Sequence, residues 1–60
     1  MTVTDQHEKL FETFKDFFAG WKNDIISYDP EDGSSIIVVL SFGVKRFGQD
    51  SKGDYFMETL

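Results

Sequence analysis

Four carboxylates recur every three or four residues near the start of the chain: Asp5, Glu8, Glu12 and Asp16. On a helix this spacing places neighbouring carboxylates about 5–6 Å apart along one line, a separation of the same order as that of phosphates along a nucleic-acid strand. We call these four residues the acidic ridge. Its chemistry would be electrostatic: it could imitate a phosphate backbone and dock in a basic groove. The simpler interpretation is an ordinary solvated helix face.

A second group of acids lies in the middle of the chain, where Asp29, Glu31 and Asp32 surround Pro30 and precede Gly33. The stretch lacks the twelve-residue ligand spacing and the bidentate Glu of a calcium loop. Proline and glycine already explain it as a turn. We therefore expect no metal or other cofactor here, and we expect these acids to extend the negative surface that a partner meets.

The residue types needed for catalysis are sparse. The chain has no cysteine and one histidine, and no serine lies in a Gly-x-Ser-x-Gly setting. His7 is expected in the first helical turn, where a packing or capping role is the common one. Gly48 and Gly53 have the spacing of a phosphate-binding loop, but Asp54-Tyr55 stands where Lys and Ser or Thr are required. The sequence predicts a non-enzymatic protein.

The composition favours a basic partner. Eleven acids against six Lys and Arg give a net charge of −5, which disfavours direct contact with nucleic acid or an anionic membrane. It suits a protein whose own role is to bind nucleic acid. One basic cluster, Lys45-Arg46 between Phe42 and Phe47, partly resembles the aromatic strand of an RNA-binding sheet. Direct nucleic-acid binding is therefore kept as a minor alternative.

The acidic ridge needs a helix, and the pattern predicts one over residues 4–21. Its opposite face is almost wholly apolar, with His7 and Phe11 at the edge and a central group of Leu10, Phe14, Phe17, Phe18 and Trp21. Thr4 or Asp5 is a suitable N-cap, and Asp5 with Glu8 has capping-box spacing. Gly20 is placed to end the helix in a left-handed conformation, and a helix that continues to Lys22 is the alternative. Met1–Val3 would be a short lead-in.

Three strands are predicted after the helix. The first covers 24–29 and is followed by a turn at 29–33. The second covers 35–42 and contains five consecutive apolar residues, with Gly43 as a bulge or bend before a continuation over 44–47. A polar loop at 48–53 leads to the last strand, over 54–60. Short connections imply antiparallel neighbours, so the predicted fold is a two-layer α+β domain (αβββ) spanning 1–60.

One helix covers only one face of such a sheet. Ile37 and Val39 would lie on the other face, together with Ile25 and Phe56. Contiguous apolar patches on a protein surface usually mark an interaction site. We therefore expect this face, or an exposed strand edge, to contact another molecule, and a homodimer is one form that such contact could take.

The N-terminus has no signal-like segment and no apolar run approaches the roughly 18 residues of a membrane span, so a cytoplasmic location is expected.

A short, acidic, cysteine-free and aromatic-rich α+β chain is similar in composition and architecture to phage-encoded inhibitors of host defence, such as anti-CRISPR proteins, and to small immunity or antitoxin proteins. That similarity implies a stoichiometric inhibitor that blocks a basic nucleic-acid-binding site. The alternative from another class is a homo-oligomeric module that pairs through Ile37 and Val39.

Overall fold

A computed structural model describes residues 4–60, and it consists of one α-helix, one 3₁₀ helix and four strands. Met1–Val3, expected as a lead-in, lie outside the described residues. The elements are α1 (Asp5–Phe17), the 3₁₀ helix (Ala19–Asp24), β1 (Ile25–Asp32), β2 (Ser35–Leu40), β3 (Gly43–Gln49) and β4 (Tyr55–Thr59). The strands form one antiparallel sheet in the order β1-β2-β3-β4. The predicted α+β class is confirmed.

The predicted number of strands, three, is wrong because the chain turns at Ser41-Phe42. Leu40 pairs with Gly43 across this two-residue turn, so residues 44–47 belong to a separate strand. Gly43 has a φ of +155°, a conformation that side-chain-bearing residues rarely adopt. Phe42 and Val44 follow the apolar run 36–40 after the single polar residue Ser41, and this alternation resembles a continuing strand and conceals the turn in the sequence.

The first strand is longer than predicted and includes the proline. β1 runs to Asp32, and the tight turn is Gly33-Ser34 rather than 29–33. Pro30 pairs with Ile36 inside β1, which is an edge strand. An edge position suits proline because its missing N–H then removes no hydrogen bond between strands.

The N-terminus of α1 agrees with one of the two predicted N-caps, whereas its capping partner and its C-terminal end differ from the prediction. The N-cap is Thr4, and its capping partner is His7 rather than the predicted Asp5–Glu8 pair. The helix ends at Phe17, and Gly20 is not among the glycines with positive φ. The tighter 3₁₀ helix replaces the last predicted turns and stacks Trp21 on Phe18, with ring centroids 4.7 Å apart.

The core lies between α1 and the two central strands. Phe14 is fully buried at its centre and makes an edge-on contact with Phe47, at 5.5 Å between centroids. Phe17 was predicted on the same apolar face, yet it is 57% exposed. The buried apolar residues are Leu10, Phe14, Ile36, Val38, Leu40 and Phe47.

Candidate binding surfaces

The acidic ridge exists as a row of exposed carboxylates on α1. Asp5, Glu8, Glu12 and Asp16 are all exposed, on the side of the helix away from the buried Leu10 and Phe14. Within residues 4–60, Glu12 is the ridge member with an ion pair, to Lys15 at 2.9 Å. The other three carboxylates face solvent.

A shallow groove of about 560 Å³ extends along α1 from the ridge to the sheet. It is lined by the four ridge residues, by Lys9 and Thr13, and by Tyr55 of β4. The Tyr55 ring stacks on Phe47 with centroids 5.7 Å apart and meets Phe17 edge-on at 5.5 Å. The acidic ridge therefore shares one surface with the first residue of an edge strand.

The acids of the β1–β2 hairpin are separate from the ridge. Asp29 pairs in register with Ile37, whose side chain points to the sheet face that α1 does not cover. Glu31 accepts hydrogen bonds from the Arg46 guanidinium and, at 2.9 Å, from the Ser35 hydroxyl. Asp29 and Glu31 thus lie on the sheet face that α1 does not cover, away from the acidic ridge.

Asp32 stabilises the hairpin turn. Its carboxylate accepts hydrogen bonds from the Ser34 N–H at 2.8 Å and from the Ser35 hydroxyl at 2.9 Å. The Ser34 N–H is the main cause, and the Ser35 hydroxyl the next, of a pKa for Asp32 that lies below its usual value. Its carboxylate is therefore occupied by contacts within the chain.

His7 is fully buried and joins the helix to the hairpin. Its Nδ1 accepts a hydrogen bond from the Thr4 N–H at 3.0 Å, so its Nε2–H donates to the Asp32 carbonyl. Both ring nitrogens are therefore engaged in structural hydrogen bonds. This is the capping and packing role that the sequence indicated, although the contact with Asp32 was not predicted.

The open face of the sheet is partly covered by charged side chains. Ile37 and Val39 are half-buried there. Arg46 lies beside Ile37 in register, donates to Glu31 and, at 2.7 Å, to Glu58, and its guanidinium lies 5.2 Å from the centre of the Phe56 ring. Sequence reasoning missed this network because the partners lie on three different strands.

Lys45 and Arg46 do not form one basic cluster. They are consecutive residues of β3, so their side chains point to opposite faces of the sheet. Lys45 lies on the helix side, with its Nζ 5.8 Å from the centre of the Trp21 ring and 2.9 Å from the Thr59 hydroxyl. The predicted alternative of nucleic-acid binding would have to use these two cations separately.

Neither a metal centre nor a membrane-spanning helix is found within residues 4–60. No group of three or more His, Asp or Glu side chains in this range could hold a metal ion. The helices in the same range are too short or too polar to cross a bilayer.

Comparison with protein-family models, with curated proteins and with solved structures gave no significant match.

Proposed function

We propose that this protein is a non-enzymatic, stoichiometric inhibitor that binds a basic partner protein through the acidic ridge. The observation that supports this most directly is the exposure of all four ridge carboxylates in one line on a single helix. The partner would be a nucleic-acid-binding protein, and the ridge would occupy the groove that normally holds the phosphate backbone.

Several physical properties favour such binding. Like charges at this spacing cost the isolated helix a few tenths of a kcal/mol each, and a basic groove would relieve this cost. The backbone that carries the carboxylates is held in place, because His7 and Phe14 anchor the inner side of the helix in the core. A net charge of −5 would steer a cationic partner toward the protein and make association fast at low salt.

The ridge is tested by reversing its charge. Wild-type protein and the triple variant E8K/E12K/D16K are immobilised, exposed to a nuclease-treated lysate and eluted with a salt gradient. We expect the wild type to retain a basic protein that is released at moderate salt. The triple variant should retain none of it, while its circular dichroism spectrum stays native.

A matched pair of single variants locates the contact. E8K and D29K change the net charge equally, but Glu8 lies on α1 and Asp29 is paired with Ile37 on β1. Retention of the basic protein should weaken for E8K and should stay at the wild-type level for D29K. Addition of wild-type protein should also displace nucleic acid from the retained partner. Equal retention by the wild type and the triple variant would contradict the proposal.

The second candidate function is a homo-oligomer that pairs through the open sheet face. It is favoured by the position of Ile37 and Val39, which no described element covers. Against it stands the charged network of Arg46 with Glu31 and Glu58, which occupies part of the same face. We therefore place it second.

A further inference from the structure

The two edges of the sheet differ in their capacity to accept another strand. At the two ends of β4, the Leu60 N–H donates to the Val44 carbonyl, and the Asp54 carbonyl accepts from the Asp50 N–H. Since backbone groups alternate in direction along an antiparallel strand, the N–H and C=O groups of Tyr55, Met57 and Thr59 point away from β3. Five residues of β4 are paired with β3 without any register shift.

The opposite edge, β1, is poorly suited to pairing. Its register is irregular between Ile25 and Ser27 and again between Pro30 and Asp32. Pro30 also lacks an N–H. Bulges and prolines are common means by which proteins prevent the addition of strands at an edge. β4 has neither.

The side chains along the open edge of β4 offer contacts of their own. Tyr55 and Met57 project to the helix side of the sheet, since they pair with Gln49 and Phe47. The Tyr55 ring is 44% exposed with one face stacked on Phe47, and the adjacent Phe17 is 57% exposed. A strand placed beside β4 would cover these exposed aromatic surfaces.

We propose that an extended, basic segment of a partner protein adds to the sheet as a fifth strand along β4. Its backbone would pair with the outward groups of Tyr55, Met57 and Thr59. Alternate side chains would point to the helix side, where arginines could lie against the exposed aromatic rings and reach the groove that the acidic ridge lines with Tyr55.

Net charge favours a basic segment over a second copy of the chain as the strand that pairs with β4. A β4–β4 pair would bring together two chains of net charge −5, whereas a cationic strand complements the groove. The choice of a basic partner rests on the proposed function. The capacity of β4 to accept a strand rests only on its exposed backbone.

The test uses two nine-residue peptides with capped ends, Thr-Arg-Thr-Arg-Thr-Arg-Thr-Arg-Thr and a copy in which the central Thr is replaced by Pro. Binding is measured by amide NMR and hydrogen exchange. The alternating peptide should slow the exchange of the Tyr55, Met57 and Thr59 amides by about tenfold or more. The proline-containing peptide should bind at least about tenfold more weakly.

Backbone variants provide the matched control, and the 60-residue chain is short enough for chemical synthesis. N-methylation of Met57 removes an outward N–H of β4, and N-methylation of Tyr28 modifies the β1 edge instead. Both proteins should keep the native NMR spectrum. The Met57 variant should lose peptide affinity by at least about tenfold, and the Tyr28 variant should match the wild type.

The outcomes separate this inference from the proposed function. Absence of peptide binding at low salt, or equal affinity for the Met57 variant and the wild type, would overturn strand addition. The proposal that the acidic ridge binds a basic partner would still be tested separately, by comparing the wild type with E8K/E12K/D16K in the lysate experiment. A wild-type dimer that the Met57 variant converts to a monomer would show that a second copy occupies β4, and would overturn the choice of a basic partner.

Discussion

At the scale of single residues, His7 connects parts of the chain that are far apart in sequence. It is the third residue of α1, it completes the capping box with Thr4, and it donates to the carbonyl of Asp32 at the end of β1. A capping box normally uses Glu or Gln at this position. A neutral imidazole performs the same role here and can also be buried, because both of its nitrogens have partners.

Replacement of His7 by Ala should destabilise the fold by about 2–4 kcal/mol, since it removes a fully buried side chain and two hydrogen bonds. A domain of this size is expected to have only about 3–5 kcal/mol of stability. Urea unfolding monitored by Trp21 fluorescence measures the change. Glu8→Ala, one position along and exposed, is the control and should stay within about 0.5 kcal/mol. Equal midpoints for the two variants would show that the His7 contacts contribute little.

At the scale of elements, the close approach of β3 to the β1–β2 hairpin depends on Gly48. Gly48 is buried, and a Cβ atom built on it would lie 2.5 Å from the Ser34 carbonyl oxygen and 2.9 Å from the Ser35 Cα. The neighbouring Gln49 N–H donates to that same Ser34 carbonyl at 2.9 Å. The sequence suggested a loop at Gly48, but the glycine is required by packing within a strand.

Gly48→Ala should therefore destabilise the protein by about 1–3 kcal/mol, because the atoms in contact are two backbone atoms and the Ser35 Cβ attached to the backbone, and these can move only if the strands separate. Gly20→Ala is the matched control, since a Cβ atom added there would have nothing within 4 Å and the φ of Gly20 is not positive. It should be neutral or stabilising by up to about 1 kcal/mol. Thermal melts of both variants test the difference, and a G48A protein as stable as G20A would contradict this explanation.

At the scale of the whole molecule, each side of the two-layer fold carries its own surface chemistry. The helix side bears the acidic ridge and the Tyr55–Phe17 aromatic pair, next to the open edge of β4. The sheet side bears Ile37 and Val39 beside the Arg46 network. A partner on one side would leave the other side free, so the two candidate functions can be tested independently.

The homo-oligomer hypothesis predicts a wild-type mass that is a multiple of 6.9 kDa in sedimentation equilibrium at high protein concentration. Val39→Glu, on the open face, should return the protein to one copy, because burial of an unpaired carboxylate in an interface is unfavourable. Glu12→Lys, on the ridge, should leave the mass unchanged. A single-copy mass for the wild type would remove this hypothesis and leave the proposal based on the ridge untouched.

The sequence by itself determined the features that depend on local periodicity. Helical spacing predicted both the apolar face around Phe14 and the row of carboxylates on the other side, and β-branched runs predicted the central strand. These patterns are local because a helix or strand repeats its side-chain directions every few residues. The α+β class follows from them, as does the alternation of Tyr55 and Phe56 on the last strand.

Only the tertiary structure decided which residues meet across the sheet. The two-residue turns at 33–34 and 41–42 set the register of three strands, and this register places Arg46 between Glu31 and Glu58. The same register leaves β4 as an open edge and separates Asp29 from the acidic ridge. No local pattern encodes these pairings, because a shift of one residue in a turn would move every side chain of the following strand to the opposite face.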